Sequence, residues 1–449
     1  MTRENPTATL SDTDAEMYIA LIESQFGAEW LGMPGDHPLR VLWRRHDISS
    51  TQELLTLGSS IRTMLAIAPM WTSRQIKLAK KENHNQSKGA IFEIIGLSAF
   101  ASARHKVTPA PDSNPGYDAL VQAENSGRIY RVSLKHHGTS SHEVAFRTAC
   151  RSLENDFLAK ARAAKLTGVR ITITGSQPWQ SSQSSTWKQL SELFNSDALA
   201  PAFAYVLTNE LAIAVPTSVK LSNWSVQLSR LPTPGLATSR VSYVMQVMTP
   251  HHRNEYQNLE YKLEDACANL RRHSSGDSPA GLVLLRLTPQ AHVRGLADWV
   301  RRYLKEGKPE SLDVVFLYQP SIRRRSDSGG STLTIYLEEI ESPECRISGD
   351  DRRTMFFIGT LLPVPFTNWL GFDNVDDKYM YQSGNVFVDV SAQQESQIVV
   401  VNQGRTFCMP YTAGTPVEGV HVHEISIGAN GEESVISPQV SPDDRILII

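Results

Sequence analysis

The chain has 449 residues, of which 41% are hydrophobic and 20% are charged, a composition typical of folded soluble domains. No apolar run approaches the roughly 20 residues that a membrane-spanning helix needs, and the first residues, MTRENPTATLSDTDAE, lack the apolar core of a signal peptide. We therefore expect a cytoplasmic protein without a membrane partner. The four cysteines are widely spaced, which excludes a zinc knuckle or a disulfide framework and predicts reduced, structural thiols.

The charge of the chain is unevenly distributed. The formal net charge is −3, yet residues 73–170 contain 16 Lys or Arg and 8 Asp or Glu, a balance of +8 that leaves −3 − 8 = −11 for the rest. Positive charge concentrated in one segment is typical of a protein that binds a phosphate backbone. The alternative is an ordinary solvated basic surface.

In chain order, the hydrophobic spacing divides the sequence into four regions. Residues 1–85 are predicted to be an N-terminal helical region, because AEMYIALIESQF and TQELLTLGSSIRTMLAIAPMW repeat at helical spacing. Residues 86–216 show the order helix, strand, strand, strand, helix, strand, and residues 217–320 read as an α/β linking domain. Residues 321–449 are predicted to be a β-rich C-terminal domain, with runs such as TLTIYLEEI and NVFVDVSA. The predicted fold class is α/β, or α+β overall.

One carboxylate stands out in the first helix of the second region. The segment AIFEIIGLSAFA is apolar on every side except for Glu93 and the small Ser98, so this helix should be buried. Charged groups are rarely buried without a partner or a metal, because desolvation costs several kcal/mol. Glu93 is therefore a candidate functional residue.

Two predicted strands follow this helix and carry the other candidates. Side chains alternate along a strand, so in IYRVSLKH the side chains of Ser133 and Lys135 share one face, opposite Leu134. Asp118, in the preceding strand YDALVQA, can lie beside them. A helix follows from about residue 141 to 165 with a stripe of apolar residues, and GVRITITG is predicted to be a central strand.

This pattern resembles the PD-(D/E)xK restriction-endonuclease-like superfamily, and in particular its Holliday-junction resolvase and Mrr-type branch. The resemblance covers about residues 88–175 and implies a restriction-endonuclease-like αβββαβ core. It makes Glu93 the acid of the helix, Asp118 the metal-binding aspartate and Lys135 the catalytic lysine. Ser133 stands where the family usually has Glu, Asp or Gln. We expect Glu93, Asp118 and Lys135 to converge on one site.

The implied cofactor is Mg²⁺ or Mn²⁺, with Glu93, Asp118 and the Leu134 carbonyl as ligands. Mg²⁺ keeps several waters and takes only one or two carboxylates, so the loss of an acid at Ser133 is tolerable. The implied function is a metal-dependent endonuclease that cleaves DNA rather than RNA, in a prokaryotic restriction or antiviral defence system. The alternative is a non-catalytic nucleic-acid-binding or scaffold subunit, which Ser133 keeps open.

Predicted contacts to DNA are basic residues on either side of these acids: Lys77, Lys80, Lys81, Lys88, His136 and His137. A partner protein of the same defence system and a homo-oligomer are both compatible with the sequence.

Three weaker patterns were also considered. Glu143 and Glu154 are candidates for a displaced acid, although exposed helix glutamates are ordinary. Residues 323–325 are three arginines predicted to lie in a loop, where they would grip phosphate or simply be solvated. His421 and His423 share a strand face that suits either a metal or plain polar exposure.

Overall fold

The protein was described from a computed structural model. None of the described helices is long and apolar enough to cross a membrane. The structure describes residues 10–45, 48–111, 116–163, 169–180, 217–221, 223–230, 243–255, 257–272, 280–289, 291, 293–306, 312–324, 331–356, 378–389, 397–402, 405–410, 433–436 and 447–449.

Six helices come first along the described chain, and groups of strands separated by single helices follow. The helices are α1 (Asp12–Phe26), α2 (Ala28–Gly32), α3 (Pro38–Arg44), α4 (Ile48–Ile67), α5 (Pro69–Ala79), α6 (His84–Ser102), α7 (Ser141–Ala163), α8 (Gln257–Arg272), α9 (Val293–Lys305) and α10 (Gly349–Phe356). The strands are β1 (Lys106–Pro109), β2 (Ala119–Gln122), β3 (Ile129–His136), β4 (Val169–Gly175), β5 (Thr217–Leu221), β6 (Trp224–Arg230), β7 (Tyr243–Pro250), β8 (Ala280–Arg286), β9 (Val314–Arg324), β10 (Ser331–Glu341), β11 (Lys378–Asp389), β12 (Gln397–Asn402), β13 (Arg405–Pro410) and β14 (Glu433–Ile436).

The first sheet has the strand order β1-β2-β3-β8-β9-β10. Strands β1, β2 and β3 pair antiparallel, whereas β3, β8 and β9 run parallel. Strand β10 returns antiparallel to β9. A parallel pair needs a crossover connection, and helix α8 comes directly before β8 while α9 joins β8 to β9.

Helices cover both faces of this sheet. On one face, α6 and the N-terminal helices share a single core with the strands, including Phe92, Leu134 and Leu282. On the other face, α8 and α9 pack on residues such as Val283 and Leu285. The first sheet is therefore the middle of three layers, and the predicted N-terminal helical region belongs to the same core as the sheet.

A second mixed sheet has the order β14-β11-β7-β4-β6-β5, and β12 and β13 form a separate hairpin. Helix α7 packs on this second sheet through the apolar stripe that the sequence predicted, consisting of Phe146, Cys150, Leu153, Phe157 and Ala161. The chain leaves the first sheet after β3, builds α7 and β4 to β7, and returns through α8 to β8.

The sheets divide the chain differently from the predicted regions 86–216, 217–320 and 321–449. Strand β4, predicted to be a central strand within region 86–216, pairs with β6 and β7 in the second sheet. The parallel neighbour of β3 is β8, which begins at Ala280. Strands after residue 321 are shared between both sheets rather than forming one β-rich unit. Local periodicity identifies a strand but carries no information about its distant partner, which explains the difference.

The crossing of α1 and α4 sets a sharp steric test of the N-terminal core. A Cβ added at Gly58 would lie 2.6 Å from the Tyr18 carbonyl oxygen and 2.7 Å from the Tyr18 Cβ, both closer than real contacts allow. Gly58→Ala should therefore lower the free energy of unfolding by about 1–3 kcal/mol or more.

Gly89→Ala in α6 is the matched control, since a Cβ there meets no atom within 4 Å. It should stabilise the protein by up to about 1 kcal/mol through helix propensity. Urea unfolding of both variants measures the difference, and equal stabilities would contradict the close α1–α4 packing.

Candidate functional site

Asp118 lies immediately before β2, at the point where β2 starts to pair with β3. Its carboxylate Oδ2 accepts hydrogen bonds from the Leu134 backbone N–H at 2.5 Å and from the Ser133 hydroxyl at 3.2 Å. Asp118 and the Ser-x-Lys stretch are therefore in contact, as the strand pattern predicted. Ser133 acts here as a donor that holds the aspartate.

The carbonyl of Leu134 is directed toward the same side. In an extended strand, the N–H and C=O of one residue point in the same direction, and the Leu134 N–H points at Asp118. The regular pairing of β2 with β3 ends with Ala119 opposite Val132. The Leu134 carbonyl therefore faces the space beyond the end of β2, next to the Asp118 carboxylate.

Lys135 points to the face of the first sheet that α8 covers. Its ammonium Nζ lies 3.2 Å from Asp265 Oδ2 on that helix. Sequence reasoning missed Asp265, because α8 follows β3 by more than a hundred residues and nothing local marks its register. The negative charge of Asp265 also acts to raise the pKa of Asp118. The structure thus brings a further acid to the candidate lysine.

Glu93 is mostly buried in α6, as its apolar surroundings predicted. Its Oε2 accepts a hydrogen bond of 2.8 Å from Gln75 Nε2 of helix α5. Burial raises the pKa of Glu93 to about 8, and the negative charge of Asp118 adds to this effect while Lys135 and Arg74 oppose it. Gln75 is also mostly buried, and its Oε1 has no hydrogen-bond partner among the described residues.

Burial likewise raises the pKa of Asp118, against the Leu134 hydrogen bond and the positive charge of Lys135. The two carboxylates are therefore both desolvated, and the charge of Asp118 disfavours ionisation of Glu93. A raised pKa caused by burial plus a neighbouring acid is frequent at functional sites.

Glu93 and Lys135 lie on opposite faces of the first sheet. Helix α6, with Glu93, packs on the face of Val132 and Leu134, whereas Ser133 and Lys135 point toward α8. They nevertheless act on each other's ionisation, as the pKa of Glu93 responds to both Asp118 and Lys135. Asp118 directly precedes β2, and its backbone continues the sheet there, because its N–H donates to the Val132 carbonyl and its carbonyl accepts from the Ala110 N–H.

The basic residues predicted to contact DNA have three different environments. Lys77 and Lys81 are exposed on and just after α5, the helix that supplies Gln75. Lys80 instead donates a 2.8 Å hydrogen bond to the Phe26 carbonyl and lies over the Trp30 ring, so it fastens α5 to the N-terminal helices. Lys80 is therefore a structural residue in this arrangement.

Lys88, His136 and His137 are largely enclosed by the protein. Burial lowers the pKa of His137 to about 4, and its Nδ1 has no partner among the described residues. The backbone N–H of His137 donates to the Arg286 carbonyl at 2.8 Å. A count of charged residues along the sequence cannot distinguish these groups from exposed ones.

The weaker predictions have these outcomes. Glu143 is buried and pairs with Arg147 at 2.7 Å, and Glu154 accepts a hydrogen bond from Tyr381 at 2.5 Å, so both are engaged around α7 rather than beside Asp118. Residues 323 and 324 lie in β9 and not in a loop. His421, His423 and residue 325 lie outside the described residues.

Within the described ranges, no three His, Cys, Asp or Glu side chains are grouped so that they could hold a metal ion. Glu93, Asp118 and the Leu134 carbonyl thus offer two carboxylates and one backbone oxygen.

Comparison of the chain with protein-family models, with curated proteins and with solved structures found no match.

The raised pKa of Glu93 predicts a pH-dependent cost to stability. Its pKa of about 8 in the folded chain exceeds its ordinary value of 4.5, so deprotonation favours unfolding between these two pH values. In metal-free buffer, the Tm of Glu93→Gln should therefore rise relative to wild type as the pH increases from about 4.5 to about 8, and the difference should then level off.

Thermal unfolding across this range measures the effect. Glu16→Gln, at an exposed position of α1, is the control and should show a constant difference from wild type. A Glu93→Gln difference that does not change with pH would mean that Glu93 is ionised throughout.

Proposed function

We propose that the chain is a metal-dependent endonuclease that cleaves DNA phosphodiester bonds, built on a PD-(D/E)xK-like site. The observation that carries this proposal is the Asp118 carboxylate, which the Ser133 hydroxyl and the Leu134 N–H hold and whose charge raises the pKa of the buried Glu93. By resemblance, the biological setting is a prokaryotic restriction or antiviral defence system, and a partner protein of that system remains part of the proposal.

The order of elements supports the proposed restriction-endonuclease-like core. The resemblance implies helix, strand, strand, strand, helix, strand, and the first sheet contains α6, β1, β2 and β3 followed later by α8 and β8. In this reading the second helix and fourth strand come from residues 257–286, and α7 with β4 to β7 forms an insertion between them.

The residues present are compatible with Mg²⁺ or Mn²⁺. Mg²⁺ in proteins is held by one or two carboxylates, with waters and substrate phosphates in the remaining positions. Asp118, Glu93 and the Leu134 carbonyl would hold the ion, and the pKa of Glu93 is raised in a way that a nearby cation would reverse. When bound, the ion would neutralise charge on the phosphate and lower the pKa of a bound water.

The chain's own groups have separate roles in this proposal. Lys135 presents an ammonium next to the acids, where it offsets charge on the phosphate and orients the attacking water. Asp265 holds that ammonium at 3.2 Å, and Ser133 and the Leu134 N–H hold the Asp118 carboxylate. Gln75 holds the Glu93 carboxylate from α5. Each reacting group is thus positioned by a neighbour.

Helix α5 is the proposed contact to the DNA backbone. Its buried side bears Gln75, next to Glu93, while Lys77 and the following Lys81 are exposed to solvent. Positive charge next to the site would attract the phosphate backbone independently of sequence. DNA is preferred over RNA on the resemblance alone.

A non-catalytic nucleic-acid-binding or scaffold subunit is the second candidate. It is favoured by one observation, the absence of any three-ligand acidic or histidine group within the described residues. In that case the basic α5 surface would keep its role and the acids would be remnants of a site.

Substitution of the site residues discriminates between these functions. Asp118→Asn removes a charged ligand and keeps the shape, so plasmid cleavage in Mg²⁺ or Mn²⁺ should fall by about 100-fold or more. The variant should fold at least as stably as wild type, because a desolvated charge is removed. Lys135→Met should lose cleavage to a similar extent while retaining Mn²⁺ binding.

Asp298→Asn, at an exposed position of α9, is the matched control and should cleave like wild type. The assay uses supercoiled plasmid, linear DNA and RNA with the full chain. If wild type cleaves none of them in either metal, the scaffold function is supported; if Asp118→Asn cleaves normally, the assigned site is wrong.

The α5 surface makes a prediction about salt. Replacing Lys77 and Lys81 together by Ala should weaken DNA binding for all sequences and reduce the slope of log K against log salt concentration by about 2, since each contact releases about one counterion. Fluorescence anisotropy with a labelled duplex at several salt concentrations measures this slope. Lys305→Ala, at the exposed last residue of α9, should leave it unchanged, and an unchanged slope in the double variant would place the DNA surface elsewhere.

A further inference from the structure

Lys88 of α6 is mostly buried, and the two acids that act on its pKa, Glu53 and Glu143, form no ion pair with it. It lies in the second turn of α6, and no hydrogen bond or ion pair of its ammonium occurs among the described residues. Burial and the positive charge of Arg286 lower the pKa of Lys88 to about 8. Buried ammonium groups normally have partners, so this one requires an explanation.

The neighbouring Arg286, at the end of β8, is only 2% exposed. Its Nε donates to the main-chain oxygen of Ile449 at 2.7 Å, and its Nη1 lies 2.6 Å from His136 Nε2. Because a guanidinium only donates, His136 Nε2 accepts and the imidazole is neutral. Nη2 has no partner in the part of the chain that the structure describes. Two cationic groups thus retain unused N–H donors in one enclosed place.

The surrounding charges do not neutralise this cluster. Lys262 of α8 donates to the His136 carbonyl, adding a third cation. The pKa of His136 is lowered by burial and by the charges of Arg286, Lys88 and Lys262.

The two acids nearby are already engaged. Glu143 pairs with Arg147, and Glu53 accepts three backbone N–H groups from residues 447–449 and has a pKa raised by burial. Both acids still act on the pKa of Lys88, but they are outnumbered by Lys88 itself, Arg286, Arg147 and Lys262, so positive charge remains in excess.

We propose that Lys88 and Arg286, with His136 and Lys262 around them, form a binding site for a phosphate group. A phosphate oxygen accepts several charge-assisted hydrogen bonds at once, which the Lys88 ammonium and the Arg286 Nη2 can supply. An anion would also offset the mutual repulsion of the buried cations. The partial exposure of Lys88 leaves this site reachable from solvent.

The position of this site relates it to the acids. Lys88 and Glu93 lie on the same helix, about 7.5 Å apart along its axis, and His136 directly follows Lys135 in β3. Five residues also turn the helix by about 140°, so the two side chains leave it in different directions. If the proposed nuclease function holds, the site would bind a further phosphate of the same nucleic acid; phosphate binding itself does not depend on that function.

Thermal unfolding with inorganic phosphate tests the site. The Tm of wild type should rise with phosphate relative to sodium chloride at equal ionic strength. Lys88→Met keeps the length of the side chain and removes its charge. The affinity for phosphate should therefore fall by at least about tenfold. Lys88→Gln, which remains polar, should lose affinity for phosphate too. Lys305→Met should show the same phosphate-induced rise in Tm as wild type. An equal rise in both Lys88 variants, or none in wild type, overturns the proposal.

A second experiment separates this site from the nuclease function and identifies the source of the phosphate. Asp118→Asn protein should still bind inorganic phosphate, even where cleavage is lost or was never present. Oligonucleotides are then tested for their ability to displace inorganic phosphate from this variant. Displacement only by a 5′-phosphorylated oligonucleotide indicates that the site binds a strand end. Displacement by the unphosphorylated oligonucleotide as well indicates that it binds an internal phosphodiester. If neither oligonucleotide displaces phosphate, the ligand of the site is a free phosphate compound. Loss of phosphate binding in Asp118→Asn would contradict a site distinct from the acids.

Discussion

The candidate site depends on two carboxylates that are buried away from water, that of Asp118 directly before β2 and that of Glu93 on α6. Burial raises the pKa of both Glu93 and Asp118, and the charge of Asp118 makes the ionisation of Glu93 harder still. Hydrogen bonds from Gln75, Ser133 and the Leu134 N–H offset part of this cost. A divalent cation would stabilise the ionised pair, which is why an unfavourable arrangement in the free protein suits a metal-dependent function.

This arrangement combines elements that are distant in sequence. Helix α5 supplies Gln75, α6 supplies Glu93, the end of β2 supplies Asp118, and α8 supplies Asp265 to hold Lys135. Because α6 and α8 lie on opposite faces of the first sheet, Glu93 and Lys135 lie on opposite sides of the segment that carries Asp118. Among the described residues, the second sheet, which β4 to β7 form together with β11 and β14, contributes none of these groups.

The sequence predicted those parts of the site that depend on local pattern. The buried acid in an apolar helix, the contact of Asp118 with Ser133, and the apolar stripe of α7 all follow from periodicity and polarity. The partner of β3 could not be predicted, because a parallel strand pair has no local signal and because α7 and β4 to β7 lie between β3 and β8 in the chain. Asp265 and Gln75 were missed for the same reason, and Lys80 and Lys88 look like surface lysines until their contacts are known.

The central claim is that Glu93 and Asp118 together bind a divalent cation. Isothermal titration of wild type with Mn²⁺ near neutral pH, in buffers of different ionisation enthalpy, measures binding and proton release at once. Since Glu93 has a pKa of about 8, we predict binding with release of about one proton per ion, and loss of binding in Asp118→Asn. Absence of Mn²⁺ binding, or binding without proton release that persists in Asp118→Asn, would contradict the account.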